Sequence, residues 1–311
     1  MIGVNPPHAL LRPRLAIPFL LVALIWGSTW LVIKGQLDVA PPSWSVTWRF
    51  TLATIGMGVL VLFKARDFRM TPGGHLAAIV IGLTQFFLNF NFVYRAEIYL
   101  TSGLVAVLFG LLMLPNSIFA RIFLGQKITP RFLLGTIIGL AGIVLLLTHE
   151  ARMAQSVDHV LPGIIFAGLG LLSASTANVM QAAPIAAKRP LVVLLFWAML
   201  WGTLADFIMA WVTAGPPVFP ASWEYWAGIA YLAIFGSVVT FPLYFFLIRE
   251  IGAGRAAYNG VIVPIVAMVL STVFEAYQWS LLALLGAVLA LLGMVVALRA
   301  KHIPPKSRFQ D

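Results

Sequence analysis

Two amides and an aromatic ring spaced along one apolar run are the first chemistry this sequence offers. Gln85, Asn89 and Phe92 stand at i, i+4 and i+7 in the run from His75 to Tyr94, so a helix there would carry them on one face. Asn91 and Tyr94 fall on a neighbouring face. A similar polar row occurs at Asn178 and Gln181, with Ser173 and Thr176 alongside, and others at Ser237, Thr240 and Tyr244, at Tyr258 and Asn259, and at Trp26, Thr29 and Trp30. Polar side chains are costly against lipid and turn inward. There they either bond a solute or bond one another across helices. The candidate ligand-contacting set is therefore Trp30, Gln85, Asn89, Tyr94, Asn178, Gln181, Tyr244 and Tyr258, and its amides, hydroxyls and rings suit a small zwitterion or a planar metabolite.

Covalent chemistry finds no such support. The histidines, His8, His75, His149, His159 and His302, fall in tails, loops or run ends, and no HExxH, GxSxG or GxxxxGK[ST] motif occurs. No catalytic residue, metal site or cofactor is expected. Without cysteine, disulfides and thiolate sites are excluded.

These side chains must be positioned by membrane helices. The chain is 61% hydrophobic and 10% charged, with a mean hydropathy of +0.98, and cannot cover its apolar surface in water. Ten runs are long enough, or nearly so, to cross roughly 30 Å of hydrocarbon at about 1.5 Å per residue. They lie near Leu15 to Ile33, Trp44 to Phe63, His75 to Tyr94, Tyr99 to Phe123, Arg131 to Thr148, Pro162 to Pro184, Leu191 to Thr213, Trp226 to Ile248, Ala253 to Phe274 and Leu281 to Leu298.

If the chain crosses at each run, sixteen of the twenty Lys and Arg residues share one side, leaving Lys34, Arg95 and Arg152 opposite and Arg49 inside the second run. The positive-inside rule then places both termini in the cytoplasm, in a plasma (inner) membrane. The formal charge of +10 is a topology signal with contacts to anionic lipid, and no nucleic-acid partner is needed to explain it.

One pattern occurs twice. Pro115 precedes Gln126 by eleven residues, with Gly135 and Gly142 beyond, and Pro264 precedes Glu275 by eleven, with Gly286 and Gly293 beyond. The copies stand about 150 residues apart, so the unit is half the chain. Five crossings per unit turn the second copy upside down. The expected architecture is an all-α membrane protein of ten transmembrane helices in two inverted five-helix repeats: residues 1–149, an exterior connector 150–161, and residues 162–311 with a cytoplasmic tail. Pro115, Pro264 and Pro242 lie inside helical runs and bend them. The Gly135/Gly139 pair and its equivalent Gly286/Ala290 suit close helix contact, within the chain or between chains.

Several of these segments together carry a family resemblance. Ala23 to Lys34 (ALIWGSTWLVIK), Trp48-Arg49-Phe50, Tyr99 to Gly103 (YLTSG), Pro115 with Leu124-Gly125-Gln126, and the later Pro264 and Glu275 resemble the EamA family of the drug/metabolite transporter superfamily over essentially the whole chain. The resemblance implies two inverted repeats, a central cavity lined mainly by helices 1, 3, 4, 6, 8 and 9, and export of amino acids or other small metabolites by alternating access. Gln126 departs from the family's usual Glu. Alternative readings are a multidrug or toxic-compound exporter, a channel, or an intramembrane enzyme.

Two ionisable groups inside the runs complete the expectations. Arg49 and Asp206 lie about 9 and 10 Å from the exterior ends of their helices at 1.5 Å per residue, and this shared depth suggests a structural ion pair. The alternative is that Asp206 carries a proton. The first helix contains no acidic residue. Proton coupling and oligomeric state are left open.

Overall fold

The structure is a computed structural model, and it describes residues 12–125, 128–153, 157–251 and 259–299. Regular structure among these residues is entirely helical. We number the apolar helices α1 (Pro13–Lys34), α2 (Pro42–Lys64), α3 (Pro72–Tyr99), α4 (Ser102–Leu124), α5 (Pro130–Met153), α6 (Val157–Ala182), α7 (Leu191–Ala214), α8 (223–251), α9 (Asn259–Phe274) and α10 (Leu281–Leu298). Eight of them, α1 to α8, contain a stretch long and apolar enough to cross a membrane, while α9 and α10 are shorter apolar helices.

Local sequence sets the helix limits. Proline occupies the first turn of α1, α2 and α3, where its missing N–H costs nothing. The Thr71, Ser222 and Ser280 hydroxyls accept from the Gly74, Tyr225 and Ala283 N–H groups and cap α3, α8 and α10. Gly125 ends α4 in the left-handed region at φ 67°.

Three interior irregularities interrupt the helices, two of them beside a proline. Pro115 lacks an N–H and its ring crowds the carbonyl of Leu111, and α4 breaks there into Ser102–Gly110 and Met113–Leu124. The break is closed by tighter turns, Leu111 N–H to Leu108 O and Leu112 N–H to Phe109 O, both at 3.0 Å. In α8 a wider π turn at Ile234–Val239 precedes Pro242, and the Ser237 hydroxyl donates to the Leu232 carbonyl at 3.0 Å. The third is a π turn at Gly82–Asn89 in α3, and it contains both predicted amides, Gln85 and Asn89. No proline accounts for this one.

Two segments differ from expectation. The connector expected at 150–161 is largely helical, since α5 runs on to Met153 and α6 starts at Val157. Backbone hydrogen bonds continue past the apolar stretch because polar residues can extend a helix into the headgroup zone. The third helix runs on to Tyr99, so the turn before α4 falls at Leu100 and Thr101 rather than after Tyr94. The expected start of the ninth helix, Ala253, and Gln126 lie outside the described residues.

The packing has a regular plan. α5 packs on α10, α2 on α7, and α4 on α9; α1 touches α8 and α9, α3 touches α6 and α7, α4 touches α6, and α2 touches α8. Exchanging α1–α5 with α6–α10 maps this set of contacts onto itself. The buried side chains form two large cores. One is centred on α2, α3, α7 and α8, and the other on α4, α5, α9 and α10. Among the described residues, only Trp30 and Phe109 are partly buried hydrophobics packed against both.

The α5–α10 contact resolves the glycine pattern: it is made within the chain. A Cβ on Gly142 would stand 2.3 Å from Ala290 N, and one on Gly293 would stand 2.2 Å from Gly139 N, so these backbones touch with no room for a methyl. A Cβ on Gly168 would meet nothing within 4 Å. Gly293→Ala should lower stability by about 1–3 kcal/mol through overpacking. Gly168→Ala should change it by less than about 0.5 kcal/mol. Thermal unfolding of the purified variants in detergent measures both.

Candidate functional site

The two cores meet at the centre of the bundle. Trp30 of α1 lies against Phe109 of α4, with ring centroids 5.2 Å apart, and its buried indole N–H has no hydrogen-bond partner. A Cβ on Gly170 of α6 would stand 3.0 Å from Phe109 Cζ and 3.6 Å from both Asn89 oxygens, so α1, α3, α4 and α6 converge here. Asn89 is buried, and its side-chain oxygen accepts no bond. An unpaired indole donor and an unpaired amide acceptor at one aromatic seam could each bond a small polar solute.

The remaining predicted residues are distributed around this seam. Gln85 is buried in the π turn of α3, and Gln181 is half-buried near the end of α6. Asn178 donates to the Asn116 side-chain oxygen at 3.3 Å, which ties α6 to α4 just past the Pro115 break. Tyr94 is fully buried and donates to Gln36 Oε1 at 3.1 Å. Tyr244 tilts against Trp26 at 5.1 Å. Trp26 in turn donates to Thr240 Oγ1 at 2.9 Å and to the Gly236 carbonyl at 3.3 Å, both on α8. Tyr258 lies outside the described residues. Pro264 of α9 faces Gly110 of α4, where an added Cβ would stand 3.3 Å from its ring, so the two proline-bearing helices touch.

The expected Arg49–Asp206 pair is not formed. Asp206 is buried on α7 and accepts from the Asn91 amide at 2.6 Å, and Asn91 Oδ1 accepts from Arg95 at 3.1 Å. Arg49 points elsewhere, its guanidinium 4.3 Å from the Phe90 ring centre and 5.2 Å from that of Phe50. Depth along two helices fixes height but not azimuth, and the two groups occupy different faces.

Sequence reasoning also missed a polar cluster where α1, α3, α5 and α9 end and α4 and α10 begin. The Lys34 ammonium donates to the Glu97 and Leu100 carbonyls. The Glu275 carboxylate accepts from the Ser102 N–H at 3.1 Å and from the Ser102 hydroxyl, capping α4. Thr101 donates to Glu150 at 3.4 Å, and His149 joins the Gln278 carbonyl and the Ser280 hydroxyl. Burial, and the nearby Glu150, push the Tyr277 hydroxyl above the ordinary phenol range. Its available signal was the repeat itself, which singled out Glu275 without naming a partner. Nothing in the sequence distinguishes Phe109 among 22 phenylalanines.

Two cavities lie away from the seam. One, of about 620 Å³, is lined by Arg66, Arg69, His75 and Trp197 among others, and the second, of about 380 Å³, is an apolar groove between α4, α9 and α10.

Apolar helices of membrane-spanning length, packed so that polar groups turn inward, define a multi-pass membrane protein. The chain belongs to the EamA-like transporter family, whose sequence profile matches residues 15–148 and again 161–299. It is 25% identical to Protein PagO of Salmonella typhimurium, over 96% of this chain and 98% of that protein. It is 29% identical to the uncharacterized inner membrane transporter YedA of Escherichia coli K12, over 80% of this chain and 79% of that protein. A solved crystal structure with 18% identity shares the fold, at a TM-score of 0.67 over 92% of this chain and 97% of that one.

The bonds at these sites differ in what their loss should do. Asn91→Leu removes the donor of a fully buried carboxyl and should lower stability by about 1–3 kcal/mol. Asn178→Leu breaks a longer, half-exposed bond and should cost less than about 1 kcal/mol. Thermal unfolding of the two proteins in the same detergent checks the order.

Proposed function

We propose that this chain is an alternating-access carrier that exports a small metabolite, an amino acid or a related compound, across the plasma membrane. In this reading ten transmembrane helices form two inverted five-helix repeats, residues 1–149 and 162–311, joined at the exterior face, with both termini in the cytoplasm. The observation that carries it is that the larger helix–helix contacts map onto one another when the halves are exchanged, with the Trp30–Phe109 seam where the two cores meet. Two bundles related in this way can rock about a shared centre and open it to either face. Of the matched prolines, Pro264 of α9 lies against Gly110 of α4, the residue after Phe109. The polar cluster at the helix ends fits an exterior closure, and transporter-named relatives fit the activity.

A multidrug exporter is the second reading, favoured by the aromatic character of the seam, and the same experiment separates the two. Proteoliposomes holding the purified chain should take up radiolabelled amino acids saturably, with slow turnover. Asn89→Leu should weaken the apparent affinity by about 1–3 kcal/mol, or roughly five- to a hundredfold, with stability retained. Uptake of bulky apolar cations in place of amino acids would establish the multidrug reading. Non-saturating flux would establish a channel. Tags inserted at Asp158 and at the C-terminus should report opposite sides of the membrane, and tags on one side would remove the inverted-repeat arrangement.

A further inference from the structure

The least expected group in the fold is the Arg49 guanidinium. It is 2% exposed, and both Nε and Nη1 lack a hydrogen-bond partner. The ion pair found among the described residues joins Arg14 and Glu250, at the opposite end of the bundle. Arg49 is instead held by the faces of Phe50 and Phe90 and by the neighbouring Tyr94 hydroxyl. Its nearest acidic neighbour by charge is Glu97, whose two oxygens are themselves buried without a partner. Glu97 therefore attracts the guanidinium from a distance without occupying its donors.

α8 meets the guanidinium through a glycine. Gly236, in the π turn of α8, presents backbone only, and a Cβ there would stand 3.6 Å from Arg49 Nη2 and 3.0 Å from the Thr29 methyl. The turn is anchored by Trp26, which bonds the Gly236 carbonyl and Thr240. Arg49 is thus the meeting point of α1, α2, α3 and α8, three of which also line or adjoin the central seam.

A buried cation with two free donors is costly unless an anion is supplied. A planar guanidinium matches a carboxylate through two parallel hydrogen bonds. We infer that Arg49 is the residue that reads charge on the cargo, binding its carboxylate through Nε and Nη1. One carboxylate balances one guanidinium, whereas a phosphate dianion would leave excess negative charge. This assignment rests on the carrier reading and adds to it a specificity-determining residue.

The test compares three amino acids (alanine, threonine and phenylalanine) with their carboxamides, which keep shape and ammonium but lack the anion. Wild-type proteoliposomes should transport at least one acid tenfold or more faster than its amide. That acid, and not its amide, should raise the melting temperature of the purified protein. Arg49→Gln should bring the acid-to-amide ratio to within about threefold of one, because a site built to bond a group discriminates only while its donors are there. Gly236→Ala keeps the charge, presses a methyl against Thr29 beside the guanidinium and should weaken binding of the acid, so a poorly folded Arg49→Gln protein does not end the test. Equal transport of acid and amide by the wild type, or an unchanged ratio in Arg49→Gln, would overturn the assignment. If the wild type moves none of the acids but moves another solute, Arg49 is not the carboxylate reader and the carrier reading stands. If it moves no solute at all, both fail.

Discussion

Within hydrocarbon a polar group has no water to return to, and that constraint organises this fold more than any single contact. Each backbone N–H and C=O is satisfied by helix, and each side-chain dipole must find a partner within the protein or wait for a ligand. Many hydroxyls satisfy the rule locally, as when Thr47, Thr51 and Thr84 each donate to the carbonyl four residues earlier. The amides and charged groups satisfy it across helices, as Asn91 does with Asp206 and Asn178 with Asn116. Among the described residues fifteen buried side-chain atoms are left without a partner, and they include the Trp30 indole nitrogen, Asn89 Oδ1, both Glu97 oxygens and two Arg49 nitrogens. Where a bilayer protein leaves such groups unmatched, function is the first explanation to test.

Helices without a hydrophobic drive between them associate by close packing, and the sequence supplies this at α5 and α10 through Gly135, Gly139, Gly142, Gly286 and Gly293. The same device joins α3 to α7, where a Cβ on Gly82 would stand 2.4 Å from the Ala198 carbonyl and one on Gly202 would stand 2.7 Å from Phe86 Cβ. These contacts weld each core internally. By contrast, the partly buried rings that touch both cores are those of Trp30 and Phe109. Flat rings can slide past one another more readily than touching backbones, so in the carrier reading movement between cores begins at these rings.

Much of the fold was legible because apolar run length is a strong, long-range signal. Eight membrane-length helices fall where the runs predict them, and Pro264, Glu275 and the repeated glycines take part in contacts between halves. The irregular segments were less legible. A π turn needs only one extra residue in the ladder, and the α3 turn carries no proline to announce it, although its amides were singled out on other grounds. Azimuth was least legible of all. Arg49 and Asp206 match in depth, yet one faces aromatic rings and the other an amide, because rotation about a helix axis depends on every neighbour at once. Phe109 was missed for the same reason, since only the packed structure distinguishes it from other apolar side chains.

The Pro115 break gives this arrangement a direction. It frees α4 between Leu111 and Leu112, immediately after Phe109 and directly before the Asn116 that binds Asn178 of α6. The first portion of α4 is held at Ser102 by the Glu275 carboxylate, and its Gly110 lies against Pro264. Phe109 belongs to this held portion and Asn116 to the other, so a bend at the break would shift Asn116 relative to the aromatic seam. In the carrier reading such a bend strains the α4–α6 bond while the capped first half of α4 stays with α9. The residue whose ring touches both cores thus lies close to the break in α4, where movement of one core relative to the other could begin.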